Sequence, residues 1–338
     1  MAPFFVPSWL DTKLMRALMC KRFGSVEDLV VENIEAPKPG AGQVVVDVKA
    51  AGLNFPDLLT IAGKYQVRNE PPFVPGIEAS GVISSLGEGV SEFAVGDRVI
   101  LTTPDGAFAE KCVVDVSRVM PMPDSIDFEQ GAGFAIAFAT SYHAFRQCAP
   151  IEPGQSVLVL GAAGGVGTTA VEIASLMDAR VIAAASSDEK LEFARQAGAT
   201  DLINYERNSL KESVSNLTEG KGVDVVYDPV GGGMARQALS ALGWHGRYLV
   251  IGFASGEIPS FPANLLLLKE ASVKGVYWGD WAAKNAIESN RNMKEIAGFV
   301  AAGKLRPRVS SSYRLEQFSE AFAEIAQRRV MGKVVFKL

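Results

Sequence analysis

The 338-residue chain is poor in metal-binding and redox side chains, with three cysteines and two histidines. Cys20, Cys112 and Cys148 lie far apart and form no CxxC pair, so neither a disulfide framework nor a thiolate zinc site is signalled. Thiols this sparse suit a reducing compartment; the expectation is cytoplasmic, with mitochondrial as the alternative. Charge of one sign is lacking too. Thirty-three basic residues face 38 acidic ones, a net charge of −5, which argues against a broad basic face for nucleic acid. The uncharged runs near 131–145 and 154–171 are Gly-rich or short of the ~20 apolar residues a membrane span needs, so no membrane partner is expected. Internal repeats and low-complexity tracts are absent from the pattern. The opening "MAPFFVPSWL" has no basic start and no long apolar centre, unlike a signal peptide. Residues 1–14 therefore read as an extension ahead of the strand-like "MRALMC" at Met15.

Two patterns fill the rest. Up to about residue 120, short β-branched runs are bounded by Gly and Pro: "QVVVDVKAAG" (43–52), "ASGVISSLG" (79–87) and "DRVILTT" (97–103). This is an all-β region of barrel type. From about residue 150, strands alternate with helices. "VLVLG" precedes a helix over 166–177, and "RVIAAA" (180–185) one over 188–197; four strands follow, "DLINY", 223–230, 246–253 and 271–278. Six strands in this rhythm predict an α/β fold with a doubly wound parallel sheet. A helix near 285–302 and the strand "GKVVFKL" close the chain.

The stretch "VLVLGAAGGVGTTAVEIA" (157–174) carries the chemistry. A strand, a glycine turn and a helix aim backbone N–H groups at a pyrophosphate, aided by the helix dipole. The spacing is Gly161-x-x-Gly164-x-x-Gly167, with Gly165 extra and Ala162 where the usual second glycine stands. An NAD site places an Asp or Glu at the end of the next strand. Here that tip is Ala185 and Ser186, followed by Lys190, and Tyr205 ends the third strand. Hydroxyl, ammonium and phenol donors without a carboxylate predict a 2′-phosphate, hence NADPH. Ser186 and Glu189 also have the spacing of a capping box for the following helix.

"GAAGGVG", "SSDEK", "AGATDLINY", "GVDVVYDPVGG", "AAGLNFPDLLTIAGKY", "PGIEASG", "FAVGDRV" and "GKVVF" together resemble the zinc-independent quinone oxidoreductases of the medium-chain dehydrogenase/reductase superfamily. The segment "IPSFPANLLLLKEASVKGVYWG" is similar to one branch of it. The resemblance covers nearly everything from Met15 onward. It implies a GroES-like β-barrel domain over 15–137, completed by 280–338, and a Rossmann domain over 138–279. It implies cofactor contacts at Ala163, Gly164, Gly165, Val166 and Thr140, at Ser186, Lys190 and Tyr205, and at Gly252, Phe253, Tyr277 and Trp278.

Zinc-dependent relatives hold a catalytic metal. Motif matching puts Asn54 at the first ligand position and Ile77 at the histidine, leaving Glu78 alone, and the four-cysteine lobe is missing. No metal is therefore expected. Without a Lewis acid, the resemblance implies hydride transfer to an acceptor that delocalises charge, a quinone or an α,β-unsaturated carbonyl. Asn54 and Tyr65 are the candidate catalytic donors to the acceptor oxygen. Many family members carry tyrosine where Leu59 stands, and leucine cannot donate. An enoyl-thioester reductase is the second reading, although no Lys/Arg cluster offers a carrier-phosphate groove. A nucleotide-binding protein with little catalysis is the third. A homodimer along the last Rossmann strand is expected, because four consecutive leucines (265–268) precede a strand near the sheet edge.

Overall fold

A computed structural model describes residues 13–67 and 69–338. Most of the expected extension therefore lies outside the described residues. Leu14 belongs to the first strand, one residue before the expected boundary. The strands are β1 (Leu14–Met19), β2 (Val30–Glu35), β3 (Gln43–Leu53), β4 (Glu78–Leu86), β5 (Arg98–Thr102), β6 (Lys111–Asp115), β7 (Val119–Pro121), β8 (Ser156–Leu160), β9 (Arg180–Ala185), β10 (Asp201–Asn204), β11 (Val223–Asp228), β12 (Leu242–Val250), β13 (Ser272–Gly275), β14 (Val309–Arg314) and β15 (Lys333–Lys337).

The later strands form one six-stranded sheet in the order β10-β9-β8-β11-β12-β13, every pair parallel. Its central strands are buried on both faces, as helix-covered parallel strands must be. β1 and β2 form a separate antiparallel pair, and the remaining strands form a mostly antiparallel first sheet, β14-β15-β3-β4-β5-β7, with β6 also paired to β3. β15 lies between β3 and the parallel β14, so the tail of the chain supplies an interior strand of the first sheet. This is the mixed Rossmann and GroES-like architecture.

The helix Ala135–His143 joins the two sheets and packs on the helix Gly165–Leu176. Ser141 Oγ lies within hydrogen-bond distance of Val166 O (3.1 Å), Thr169 Oγ1 (2.8 Å) and Tyr227 Oη (2.9 Å). A polar tie inside an apolar cluster fixes the helix pair in one register. Three differences from the sequence pattern stand out. The last parallel strand stops at Gly275, and Trp278 opens a helix to Lys284 that periodicity did not separate from it. The helix Phe318–Ala326 and the strand β14 also lie outside the sequence reading; β14, "VSSSYR", is mostly polar, whereas the helix carries its apolar residues at helical spacing. No helix among the described residues is long and apolar enough to cross a membrane.

Candidate functional site

The strand order reverses between β8 and β11, and open α/β sheets bind ligands at such a point. A cleft of about 1940 Å³ opens there, lined from both sheets. Every candidate cofactor-binding and catalytic residue named from the sequence lines it. Thr140, Ala163, Gly164, Gly165, Val166, Ser186, Lys190, Tyr205, Gly252, Phe253, Tyr277 and Trp278 lie along it, and Asn54 and Tyr65 close its far end.

The glycine turn has the geometry of an anion cradle. Gly161 takes a left-handed φ of +55°. A methyl group on Gly167 would stand 2.1 Å from the Gly161 carbonyl oxygen, so only glycine lets the helix start this close to β8. The cap of that 12-residue helix is Gly164, which has no side chain to satisfy the first-turn N–H groups. Those groups suit the oxygens of an anion.

Past β9 the structure corrects the expected capping box. Ser187, not Ser186, caps the helix Asp188–Gln196, its Oγ accepting from Lys190 N at 3.3 Å. The strand runs through Ala185, and Ser187 is the residue with the extended backbone that a cap requires. Ser186 is thereby released to the cleft, where it accepts from Lys190 Nζ at 3.3 Å. Lys190 also donates to the Arg328 carbonyl at 2.5 Å, and the Arg328 guanidinium donates to Ser255 O at 2.9 Å. Burial, then the nearby Arg328 charge, lowers the Lys190 pKa. Arg328 was missed by sequence reasoning. It sits in a tail segment that returns to the cleft from the other sheet, and its only signal was the basic pair Arg328–Arg329 near β15.

At the far end, Asn54 caps the helix Phe55–Ile61. Its Nδ2 donates to Glu78 Oε1 (2.9 Å) and to Gly52 O (3.3 Å), while its Oδ1 accepts from Lys333 Nζ (2.7 Å). Both amide hydrogens of this expected donor are thus engaged within the protein. Tyr65 is differently placed. Its phenol is pushed up to about 12, by burial first and then by its neighbours Tyr277 and Asp57. It keeps its proton at neutral pH and can donate it in a hydrogen bond. Leu59, Ile77, Ile136 and Met293 make the surrounding wall apolar. Beneath it, Asp57 is fully buried, and burial pushes its carboxyl up to about 7 despite a hydrogen bond from Asn54 N.

These residues do not fit a zinc ion. Ile77 has no donor atom, and the oxygens of Asn54 and Glu78 already hold the Lys333 ammonium at 2.7 Å each. Cys20, Cys112 and Cys148 are free thiols, and none of them lines the cleft.

Residues 40–124 match the alcohol dehydrogenase GroES-like domain, and residues 165–294 match the zinc-binding dehydrogenase family. Quinone oxidoreductase-like protein 2 of Bos taurus is 38% identical over 324 residues, covering 96% of this chain and 92% of its own. The Escherichia coli quinone oxidoreductase, solved in complex with NADPH, superposes with a TM-score of 0.90 at 27% identity, over 96% of this chain and 100% of that one. The CurK enoyl reductase superposes with a TM-score of 0.86 at 28% identity, over 96% and 99%. With the Bos taurus relative matched along almost its whole length, and with no zinc-ligand set at the far end of the cleft, the chain belongs to the zinc-independent quinone oxidoreductase family of the medium-chain dehydrogenases/reductases, a family of oxidoreductases.

Proposed function

We propose that the protein is an NADPH-dependent reductase of quinones or α,β-unsaturated carbonyls that works without a metal. One observation carries the reading: a single cleft has hydroxyl and cationic donors at one end and an apolar wall with the protonated Tyr65 phenol at the other. Ser186, Lys190, Tyr205 and Arg328 would hold the 2′-phosphate, and the first-turn amides after Gly164 the pyrophosphate. Thr140, Gly252, Phe253, Tyr277 and Trp278 would bound the nicotinamide end. The nicotinamide supplies a hydride. Leu59, Ile77, Ile136 and Met293 exclude water from the acceptor. Tyr65 donates a hydrogen bond to the acceptor oxygen, where negative charge gathers. Its raised pKa keeps the proton on the phenol, so the bond forms without prior ionisation.

The likeness to CurK favours enoyl thioesters as a second acceptor class. Carriers of such acyl groups bear phosphates, and Arg118 and Arg329 are exposed cations that also line the cleft. The test is NADPH oxidation against a panel of quinones, enones and enoyl thioesters. Quinones and enones should turn over fastest; a protein that reduces none of the panel sinks the reading.

The same reading includes a homodimer paired along β13, in a reducing, cytoplasm-like compartment. β13 is an exposed edge strand, and Leu267 and Leu268 beside it are 77% and 68% exposed. An apolar edge is a liability that pairing removes. A monomer at micromolar concentration, by light scattering, refutes it.

A further inference from the structure

The glycine turn and the buried network around Asn54 meet at two residues of the tail. Gly332 bridges to Gly164, its N–H donating to Ala163 O at 2.7 Å. From there the Lys333 side chain crosses between the two sheets. Its stem lies over Gly165 and Gly133, where an added methyl would stand 3.1 Å away in each case. Its ammonium donates to Glu78 Oε1 and Asn54 Oδ1, each at 2.7 Å, and to Leu53 O at 3.2 Å. Glu78 uses its other oxygen to accept the Ile136 N–H at 2.9 Å. Lysine and glutamate are 6% and 0% exposed at the side chain. One lysine therefore touches the glycine turn, the entry to the helix that joins the sheets, and the cap of the helix carrying Leu59.

A buried ion pair is a poor means of stabilising a fold, since apolar side chains of the same shape often do as well. What such a pair supplies is direction: short charge-assisted bonds that tolerate one arrangement of their partners. Hydride transfer is sensitive to that arrangement, because a misplacement of about 1 Å can cost on the order of a hundredfold in rate. We propose that Lys333 is a positioning residue, whose ammonium holds the glycine turn in register with the acceptor side of the cleft. This rests on the reading above, with cofactor on the turn and acceptor beside Tyr65. Lys333 acts through Gly165 and Asn54 rather than on the reacting atoms.

The test uses the full chain in three variants: Lys333→Met, Lys333→Arg and the double variant Lys333→Met/Glu78→Gln. The first leaves Glu78 buried without a counter-charge and can fail to fold. The double variant removes both charges and should melt near the parent. In the double variant without cofactor, amides of residues 161–168 should exchange about tenfold faster by hydrogen-exchange mass spectrometry, with β9 unchanged. Quinone kcat should fall about tenfold, while 2′,5′-ADP, which probes only the adenosine end, binds within about twofold of the parent. Lys333→Arg, which keeps the charge, should recover most of both. Parent-like exchange at 161–168, or kcat restored together with stability in the double variant, overturns the proposal. If the parent reduces no acceptor, the functional reading fails, and the exchange comparison still decides the role of Lys333.

Discussion

The two ends of the cleft are built differently. The end with Ser186, Lys190 and Tyr205 is made from the tips of consecutive parallel strands, so its chemistry follows directly on β8, β9 and β10. The end with Tyr65 is gathered from residues near 54–67, 77–78, 277–293 and 333, which no local pattern links. The first end is repetitive and tolerates sequence reading. The second depends on tertiary placement, so each side chain there takes partners that sequence could not supply. Binding should therefore respond most sharply to changes at the first end, and turnover to changes at the second.

The largest effect is expected at Gly167→Ala. The new methyl must push the Gly161 carbonyl away, because that contact would be 2.1 Å and involves backbone. NADPH affinity should drop roughly a hundredfold or more by calorimetry, with the melting temperature lowered as well. Parent-like affinity would show that the turn has slack the geometry denies. Next comes Lys190→Ala. A charge-assisted bond to phosphate is worth about 1.5–3 kcal/mol, so NADPH should weaken about ten- to a hundredfold while NADH is nearly unchanged. Equal parent affinities for the two cofactors would remove the basis for calling this end phosphate-specific.

At the other end, Tyr65→Phe keeps the ring and removes the hydroxyl. Enone turnover should fall about tenfold and quinone turnover less, because quinones are already electrophilic, with NADPH affinity unchanged. Equal rates for parent and variant would make Tyr65 a packing residue. The smallest functional change, and a distinct pH signature, is expected for Asp57→Asn. The folded-state carboxyl titrates near 7 and the unfolded one near its ordinary 3.8, so the folded chain binds the extra proton between those values. Its contribution to stability is complete below the unfolded value and is lost as pH rises towards 7. The amide in the variant has no such proton to lose. The melting temperature of the variant relative to the parent should therefore rise by a few degrees between pH 4 and 8. A difference independent of pH would refute the buried-acid assignment.

The two ends also differ in how far they were legible. Six strands and the glycine turn could be read because each strand is an apolar run bounded by turn residues, whereas their order in the sheet came only from the structure. The donors after β9 could be read from the absence of a carboxylate at Ala185 and Ser186. The cap register could not, because Ser186 and Ser187 are chemically alike and only backbone conformation separates them. Arg328 and Lys333 were illegible for a different reason. Both reach the cleft through β15 pairing with β3, a contact between distant parts of the chain. Asn54 was recognised as important, but its engagement with Glu78 and Lys333 depends on that same pairing.

The interior position of β15 bears on how the protein is made. Lys333 and Asn54 are separated by 279 residues, yet they share one buried cluster. Synthesis proceeds from the amino terminus, and domains tend to fold as they emerge. The parallel sheet has all its strands once residue 275 is out, whereas the first sheet must wait for its inner strand. The half made first should thus be finished last. During that interval the unpaired flank of β3 is an open strand edge, the kind that recruits other chains. A nascent or truncated chain lacking β15 should be a preferred client of chaperones and proteases, even with its nucleotide-binding half fully formed.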